Sequence, residues 1–449
     1  MATLKSGLGG KGLKRGKIRE VKREDTPTAS WRDSDWSSSS VSGASASDER
    51  YTVPAQQTTS ALTMWLSPSG IPCGMAIDDY RLLHHWTTTL CPLLSVASTL
   101  EKNPFLQHLA PMAYDPGPLR HIILYMAAKH LAVLHGQYFL ERDMLRHHTL
   151  AVRYLSQALD DAHEAVSDST LASILLMQQS AIFVSDADKG TRADHLAGAK
   201  WIITRRTDLV SSLDPRRRFL LSLFRYHDIM SSISRGDAPL LNSSDGNTNS
   251  LNLGSNVDLL LGRISSLLLL ISEISVLQTR KKSTESEIVD TNLIAIASLI
   301  ESKLQIWTPV TSNTDWTNTA EAYRHAAFIY LYRVTYNIGA PHPLTIHHVR
   351  LCLDALHAVP ASSTLSSVLV WPIFTAGCES IDATDRDFCR QRLRDMYWKR
   401  RLESLLRVLG AIEDVWEQKD QESMEGIERA IRVDCIGVLK GRRREIDLV

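Results

Sequence analysis

The sequence LRHIILYMAAKHLAVL, residues 119–134, begins the part of the chain that decides its fold. Its apolar side chains recur every three or four positions, first at Leu119, Ile122 and Ile123, which is the spacing of one face of an α-helix. Three more patterns of this kind follow before residue 206. Four adjacent amphipathic helices can remove their apolar faces from water only by packing on one another, so we predict a helical domain here.

Short polar segments separate these patterns and mark where helices begin. Ser167 and Asp168 precede the third pattern, and both are residue types that cap the free amides of a first helical turn. The three later apolar faces are predicted at Leu140, Met144, Ala151, Leu155 and Leu159, then at Leu171, Ile174, Leu175 and Ile182, and finally at Leu196, Ala199, Ile202 and Ile203.

The second half of the chain has the same character. The pattern predicts one long helix over residues 385–416, and an interruption of a buried segment at Trp371 and Pro372, because proline disrupts a helix interior. A further apolar face is predicted at Leu293, Ile296, Leu299, Ile300 and Leu304. No hairpin pattern appears between these segments. The predicted fold class is all-α, a multi-helix bundle or helical array over residues 60–449, with a polar surface loop at 242–256.

Residues 1–59 are predicted to be a disordered, basic and serine-rich tail. Residues 5–24 contain eight Lys or Arg and two Glu, a net charge of +6, and the serine-rich segment 34–47 has little to bury. Gly7, Gly9 and Gly12 match the spacing of a dinucleotide-binding loop. That loop requires a strand before it and a helix after it, so the match is attributed to chance.

The whole chain favours no class of charged partner, since fifty basic residues balance fifty acidic ones. The longest apolar run, residues 259–277, is interrupted by Arg263 and Glu273, and therefore predicts a buried helix rather than a membrane span. The six cysteines show no repeated spacing, so we expect reduced, inert thiols in an intracellular compartment.

No residue pattern demands a cofactor, a metal or a catalytic site. Adjacent histidines, as in His147 and His148, point about 100° apart on a helix and do not converge on one metal. His227 and Asp228 form the best polar cluster for acid or base chemistry, but a structural hydrogen-bonding role is favoured. Core packing or a small-molecule pocket would each explain the Trp, Met and Phe positions Trp86, Met126, Met144, Met177, Trp201, Phe224, Trp371, Met396 and Trp416.

Several segments together resemble a known family. They are Asn103-Pro104-Phe105, the helix at 119–131, Ser167 to Ala172, His195 to Lys200, Phe224 to Asp228 with Arg235-Gly236, Trp371 to Phe374 with Gly377-Cys378-Glu379, and residues 409–416. Over residues 80–416 the chain resembles the fungal-specific transcription factor domain, in the branch related to the acriflavine sensitivity control protein. The resemblance implies an α-helical regulatory domain of a nuclear transcription regulator, with target genes in secondary or xenobiotic metabolism.

In that family the regulatory domain usually follows a binuclear zinc cluster, which needs six cysteines within about thirty residues. The first cysteine here is Cys73 and the next is Cys91, so the cluster is expected to be absent from this chain. A longer protein that carries the cluster remains the alternative. Two other classes are a corepressor-like scaffold that binds other regulators and, less favoured, a biosynthetic enzyme.

The candidate functional residues are the basic side chains of the tail, which take the place of the zinc cluster. They are predicted to contact nucleic-acid phosphates weakly or to act as a nuclear import signal, and the alternative is a solvated charged tail. These residues are Lys14, Arg15, Lys17, Arg19, Lys22 and Arg23. The expected partners are other regulators or the transcription machinery, and a small-molecule effector and a homodimer are left open.

Overall fold

A computed structural model describes residues 75–136, 140–184, 195–206, 214–241, 264–283, 291–309, 311 and 313–449. The predicted tail (1–59) and surface loop (242–256) lie outside these residues. Every regular element within them is helical and none is a strand, which confirms the all-α prediction.

The α-helices are numbered here in chain order. They are α1 (Ile77–His85), α2 (Cys91–Leu94), α3 (Ala110–Met112), α4 (Pro118–His135), α5 (Glu141–Asp160), α6 (Asp168–Gln179), α7 (His195–Arg205), α8 (Pro215–Arg235), α9 (Ser265–Ser283), α10 (Thr291–Ile306), α11 (Thr314–Tyr336), α12 (Pro343–Ala358), α13 (Val370–Cys378), α14 (Ala383–Arg400), α15 (Glu403–Glu425), α16 (Ile427–Arg432) and α17 (Cys435–Gly441). Shorter 3-10 and π-helical turns lie at Trp86–Leu90, Leu100–Lys102, Phe105–Leu109, Glu164–Val166, Ser180–Phe183 and Thr364–Val368.

Helix ends follow local chemistry. α4 begins with Pro118, whose missing N–H is not needed in a first turn, and it ends at Gly136, whose φ of 61° lies in the left-handed region that favours glycine. Ser167 caps α6 as predicted, because its hydroxyl accepts the Thr170 amide at 3.1 Å. Asp168 instead takes the first helical position and pairs with Arg206 at 2.5 Å.

Two groups of helices pack around one continuous core. In the first half, α4 packs along α5 and on α6, and α6 packs on α7. In the second half, α11 packs along α12 and on α9, α10 and α13. α8 contacts both groups, and the cluster of buried apolar side chains runs without interruption from Leu82 to Leu448. The four helices predicted from residues 103–206 therefore pack on one another, and α8 and the turn Ser180–Phe183 join them to the second half.

The single long helix predicted over 385–416 is wrong. α14 ends at Arg400, and Arg401 adopts a left-handed conformation with a φ of 54° before α15 begins at Glu403. The Arg401 guanidinium lies 4.2 Å from the centre of the Trp398 ring, a cation–π contact that stabilises the turn. No glycine or proline marks this break in the sequence.

Some residues predicted to face the interior are exposed. Leu159 at the end of α5 is 46 % exposed, Trp201 on α7 is 42 % exposed, and Leu299 on α10 is 57 % exposed. On α10 the buried face is formed instead by Ala297, Ile300 and Leu304. In each of these helices only part of the apolar face lies against the core. The spacing of apolar residues in the sequence predicts which face is apolar, but not how much of that face is buried.

The interruption predicted at Trp371 and Pro372 falls slightly earlier, at Leu369. This residue separates the 3-10 turn Thr364–Val368 from α13. Pro372 lies in the first turn of α13, where an absent N–H costs no helical hydrogen bond. Among the helices that the structure describes, none combines the length and apolar character needed to cross a bilayer.

Candidate functional site

The basic residues Lys14, Arg15, Lys17, Arg19, Lys22 and Arg23 lie outside the described part of the chain. Their role in phosphate contact or nuclear import stays a prediction. The Gly7, Gly9 and Gly12 match lies there too, as does Cys73.

Asp228 holds a segment of backbone in place. Its carboxylate is 2 % exposed and accepts the amides of Leu240 and Leu241, at 2.7 and 3.0 Å. Lys200 of α7 donates to the Leu240 carbonyl at 2.6 Å, so α7 and α8 both fix this segment. Burial raises the pKa of the Asp228 carboxyl, and the two amide hydrogen bonds oppose that rise. These contacts are structural, as predicted.

His227 is engaged with a different partner. Its Nε2 donates to the Gln179 side-chain oxygen at 2.5 Å, which joins α8 to the end of α6. Burial lowers the pKa of His227 to about 4, so the imidazole is neutral at pH 7. A general base works best with a pKa near the operating pH. His227 and Asp228 therefore make separate structural hydrogen bonds and do not act together as a catalytic pair.

Histidine side chains on different helices lie within hydrogen-bonding distance of one another, which the sequence did not predict. Pairs of ring nitrogens lie 2.8 Å apart for His85 and His130, 3.1 Å for His121 and His147, and 2.9 Å for His325 and His348. The first pair joins α1 to α4, the second joins α4 to α5, and the third joins α11 to α12. The prediction that adjacent histidines do not converge holds for neighbours in sequence, but it did not consider partners on another helix.

These pairs do not assemble a metal site. Within the described ranges, no three His, Cys, Asp or Glu side chains are grouped so that they could hold a metal ion. Cys91, Cys352, Cys378 and Cys389 are buried. Burial raises the pKa of the Cys389 thiol to about 12, and it raises that of Cys91 as well, so the reactive thiolate is disfavoured.

A buried cluster around Glu379 contains three charged side chains. Glu379 accepts from Arg333 of α11 at 2.6 Å, from the Ala340 amide at 2.7 Å, and from Lys419 of α15. Burial alone would raise the pKa of the Glu379 carboxyl, but the charges of Lys419 and Arg333 overcome it and hold the pKa low. Gly339 passes so close that a Cβ there would overlap Arg333 and lie 2.5 Å from Glu379 Oε2.

The nine Trp, Met and Phe positions were predicted either to pack in the core or to line a pocket. Seven of the nine are buried in the core, which agrees with the packing interpretation, while Met144 is half-buried and Trp201 is exposed. None of the nine lines the two apolar cavities between the helices, one near Arg400 and one near Arg333. The nine residues therefore do not mark either of these two cavities.

The fold is all-α. Most of the hydrogen-bonded and ion-paired side chains described above hold one helix to another. Residues 81–444 match the family described as the fungal specific transcription factor domain, and the chain belongs to this family. The family is described as a transcription factor domain and not as an enzyme.

Similarity to a named relative supports the same class. The chain is 21 % identical over 392 residues to the acriflavine sensitivity control protein acr-2 of Neurospora crassa. The matched region covers 79 % of this chain and 64 % of that relative. The chain thus spans less than two thirds of the length of that protein. No solved structure matches this chain.

Proposed function

We propose that this chain is the regulatory part of a nuclear transcription regulator, and that its helical body acts on target genes through other regulators or the transcription machinery. The observation that carries the proposal is the family match over residues 81–444, which coincides with one continuous core. A body built in this way presents large helical surfaces to protein partners. Its target genes would be those of secondary or xenobiotic metabolism.

The basic tail supplies localisation or weak nucleic-acid contact in this proposal. Its six lysines and arginines form a short cluster typical of import signals and of phosphate-binding arms. Phosphate contacts fix position on a nucleic acid but carry no sequence information. Selection of target genes would then depend on a partner, or on a DNA-binding module in a longer form of the protein.

The proposal is tested with the full chain fused to a heterologous DNA-binding domain in a fungal reporter strain. We expect the fusion to change reporter expression in either direction, relative to the DNA-binding domain alone. A fluorescent fusion of the unmodified chain should accumulate in the nucleus. An unchanged reporter together with a cytoplasmic signal would overturn the proposal.

The tail is tested separately with the six basic residues replaced by Ala. If the tail contacts phosphates, the full chain binds random-sequence DNA with an affinity that falls steeply with salt, and the replacement abolishes that slope. If it acts in import, the replacement lowers the nuclear signal without changing DNA binding. Binding that is weak and insensitive to salt, with unchanged import, would leave the tail without either role.

A corepressor-like scaffold is the second candidate, because the packed helices of the body can present apolar and polar surfaces to another regulator. Such a scaffold would bind another regulator through residues 75–449. Capture of a partner regulator should then survive the Ala replacement in the tail. Loss of capture would assign partner binding to the tail.

A further inference from the structure

Two cysteine thiols that are far apart in the sequence lie side by side in the structure. Cys378 is the last residue of α13, and Cys435 is the first residue of α17. Their side chains lie within hydrogen-bonding reach of each other, and no disulfide joins them. The scattered positions of the cysteines in the sequence did not predict this pair.

The two members of the pair differ in exposure. Among the described cysteines, Cys435 is half-buried, while Cys378 and the others are buried. Burial raises the pKa of the Cys378 thiol well above its usual range, so the nucleophilic thiolate is disfavoured there. Cys435 is therefore the thiol that an oxidant meets first, and Cys378 lies where it can react with the product. This pair thus differs from the inert thiols that the sequence predicts.

A small cavity lies at the pair. Cys378 and Cys435 both line it, and half-buried Gln278 and Asp434 also line it, so the cavity reaches the surface. Its free space is about 30 Å³, which is room for about one or two water molecules. Hydrogen peroxide is only slightly larger than water and fits this space, whereas a peptide disulfide such as oxidised glutathione does not. The cavity therefore favours a small oxidant.

The remaining described cysteines lack such access. Cys91, Cys352 and Cys389 are each 0 % exposed, and none of them lines this cavity. Sensor cysteines that react with peroxide are accessible and often lie next to a second thiol that resolves the oxidised one. Within the described part of the chain, Cys435 with Cys378 has this arrangement.

We propose that Cys378 and Cys435 form a reversible disulfide when the protein meets hydrogen peroxide, and that this bond fastens α17 to α13. The Cys435 thiolate attacks one peroxide oxygen and the O–O bond breaks. The hydroxide that leaves takes up the proton released by the Cys435 thiol and becomes water. Cys435 then carries a sulfenic acid.

The second step closes the disulfide. The Cys378 sulfur attacks the Cys435 sulfur, and the S–O bond of the sulfenic acid breaks. The hydroxide that leaves combines with the proton of the Cys378 thiol as a second water. The two thiols have then lost two electrons, which have reduced the peroxide to two waters. A dithiol reductant reverses the bond by thiol–disulfide exchange.

The disulfide would restrain the end of the chain. α17 packs on α15, and beyond it Asp447 pairs with Arg407 of α15 at 2.6 Å. A covalent bond from α17 to α13 closes the intervening chain into a loop, so fewer open conformations remain available to it. We therefore expect oxidation to slow the local opening of α17. The site does not depend on a role in transcription.

The test uses the full-length protein, reduced with dithiothreitol, desalted, and treated with hydrogen peroxide under native conditions. Remaining thiols are alkylated, and chymotrypsin, which cleaves after Phe374, separates Cys378 from Cys352. We expect mass spectrometry to show the peptides of Cys378 and Cys435 joined by a disulfide that dithiothreitol breaks. The same treatment in urea should give mixed pairings among the six cysteines, since the unfolded chain no longer holds these two together.

Variants separate the roles of the two thiols. In Cys378→Ala the sulfenic acid on Cys435 has no partner, so labelling of Cys435 by dimedone should increase several-fold over the wild type. In Cys435→Ala, Cys378 should remain a thiol. Cys352→Ala removes a buried thiol outside the pair and should leave disulfide formation unchanged. Hydrogen exchange in α17 should be several-fold slower in the oxidised wild type than in the reduced protein.

Three results would overturn the proposal. One is a folded wild-type protein in which peroxide leaves Cys435 as a thiol. Another is oxidation of Cys435 to a sulfinic acid, or to a disulfide between two copies of the chain, with Cys378 still reduced. The third is a joined pair with unchanged exchange in α17, which would overturn the restraint. All three come from the wild type, so none depends on whether a variant folds, and the reporter assay tests the transcription role independently.

Discussion

Glu379 shows how single residues in this protein depend on distant partners. Its carboxylate is 3 % exposed and balances two cations, Arg333 and Lys419, that lie 46 and 40 residues away in the sequence. The sequence marks Glu379 only as one residue of a segment that resembles the family. Its partners become evident when α11, α13 and α15 are packed together.

The first prediction concerns the buried ion cluster. Replacing Glu379 with Ala leaves Arg333 and Lys419 buried without an anion, so we expect the free energy of unfolding to fall by about 3–5 kcal/mol. Urea unfolding followed by circular dichroism measures this change. Glu425→Ala is the matched control, since Glu425 pairs with Arg429 on the surface and its loss should cost less than about 1 kcal/mol. Equal losses in the two variants would contradict a special role for the cluster.

At the scale of elements, the ends of helices are less predictable than their existence. The helix start at Ser167 could be predicted, because a capping hydroxyl acts on an amide three residues away. The break at Arg401 could not, because arginine has no preference for the left-handed conformation that it adopts there. That conformation is imposed by the packing of α14 against α15, which requires the chain to reverse.

The second prediction tests the break between α14 and α15. Arg401→Val should lower the free energy of unfolding by about 1–2 kcal/mol, because a β-branched residue is disfavoured at a positive φ. Arg401→Gly should be much better tolerated. As a control, Arg394→Val changes an exposed position inside α14 and should cost only about 0.5 kcal/mol. A continuous helix would instead make Arg401→Val as mild as the control and Arg401→Gly the worse variant.

The third prediction concerns the histidine pairs between helices. Burial and the partner histidine lower the pKa of His85 and of His121 to about 4, and burial with nearby positive charges lowers that of His325 to about 3. The ordinary value in an unfolded chain is about 6.5. As the pH falls from about 6.5 to 4, the unfolded chain takes up protons that the folded helices exclude. Stability is therefore greatest above pH 6.5 and decreases through this window.

Unfolding experiments at pH 7.0 and 5.0 measure this effect. Each excluded proton contributes at most about 1.4 kcal/mol per pH unit. The double variant His325→Leu, His348→Leu should show a smaller loss of stability between the two pH values than the wild type. An identical pH dependence in the variant would mean that this pair does not contribute.

At the scale of the whole molecule, α15 connects the two groups of helices. It packs on α13 and α14 in the second half and on the 3-10 turn Ser180–Phe183 in the first half. Arg407 of α15 donates to the Ala181 carbonyl at 2.8 Å, and Trp416 donates to the Gly377 carbonyl at 2.6 Å. Because the core is continuous through this helix, disturbing it should affect both halves.

The fourth prediction follows from this connection. Trp416 is 2 % exposed, and Trp416→Ala should lower the free energy of unfolding by about 3–5 kcal/mol. Hydrogen exchange should speed up in both α4 and α11. Trp398→Ala is the control, because Trp398 is 63 % exposed and the loss of its surface cation–π contact with Arg401 should cost at most about 1 kcal/mol. Faster exchange in α11 alone would show that the two halves unfold independently.

The sequence by itself determined the all-α fold class, the position of most helices, the cap at Ser167 and the family resemblance. These features depend on the spacing of apolar residues and on side chains that act within one or two turns of their own backbone. The tertiary structure alone decided the break at Arg401, the exposure of Trp201 and Leu299, the histidine pairs, the Glu379 cluster and the cavity beside Arg400. Each of these depends on which helices lie next to one another, and side chains separated by tens or hundreds of residues interact only after the chain has packed.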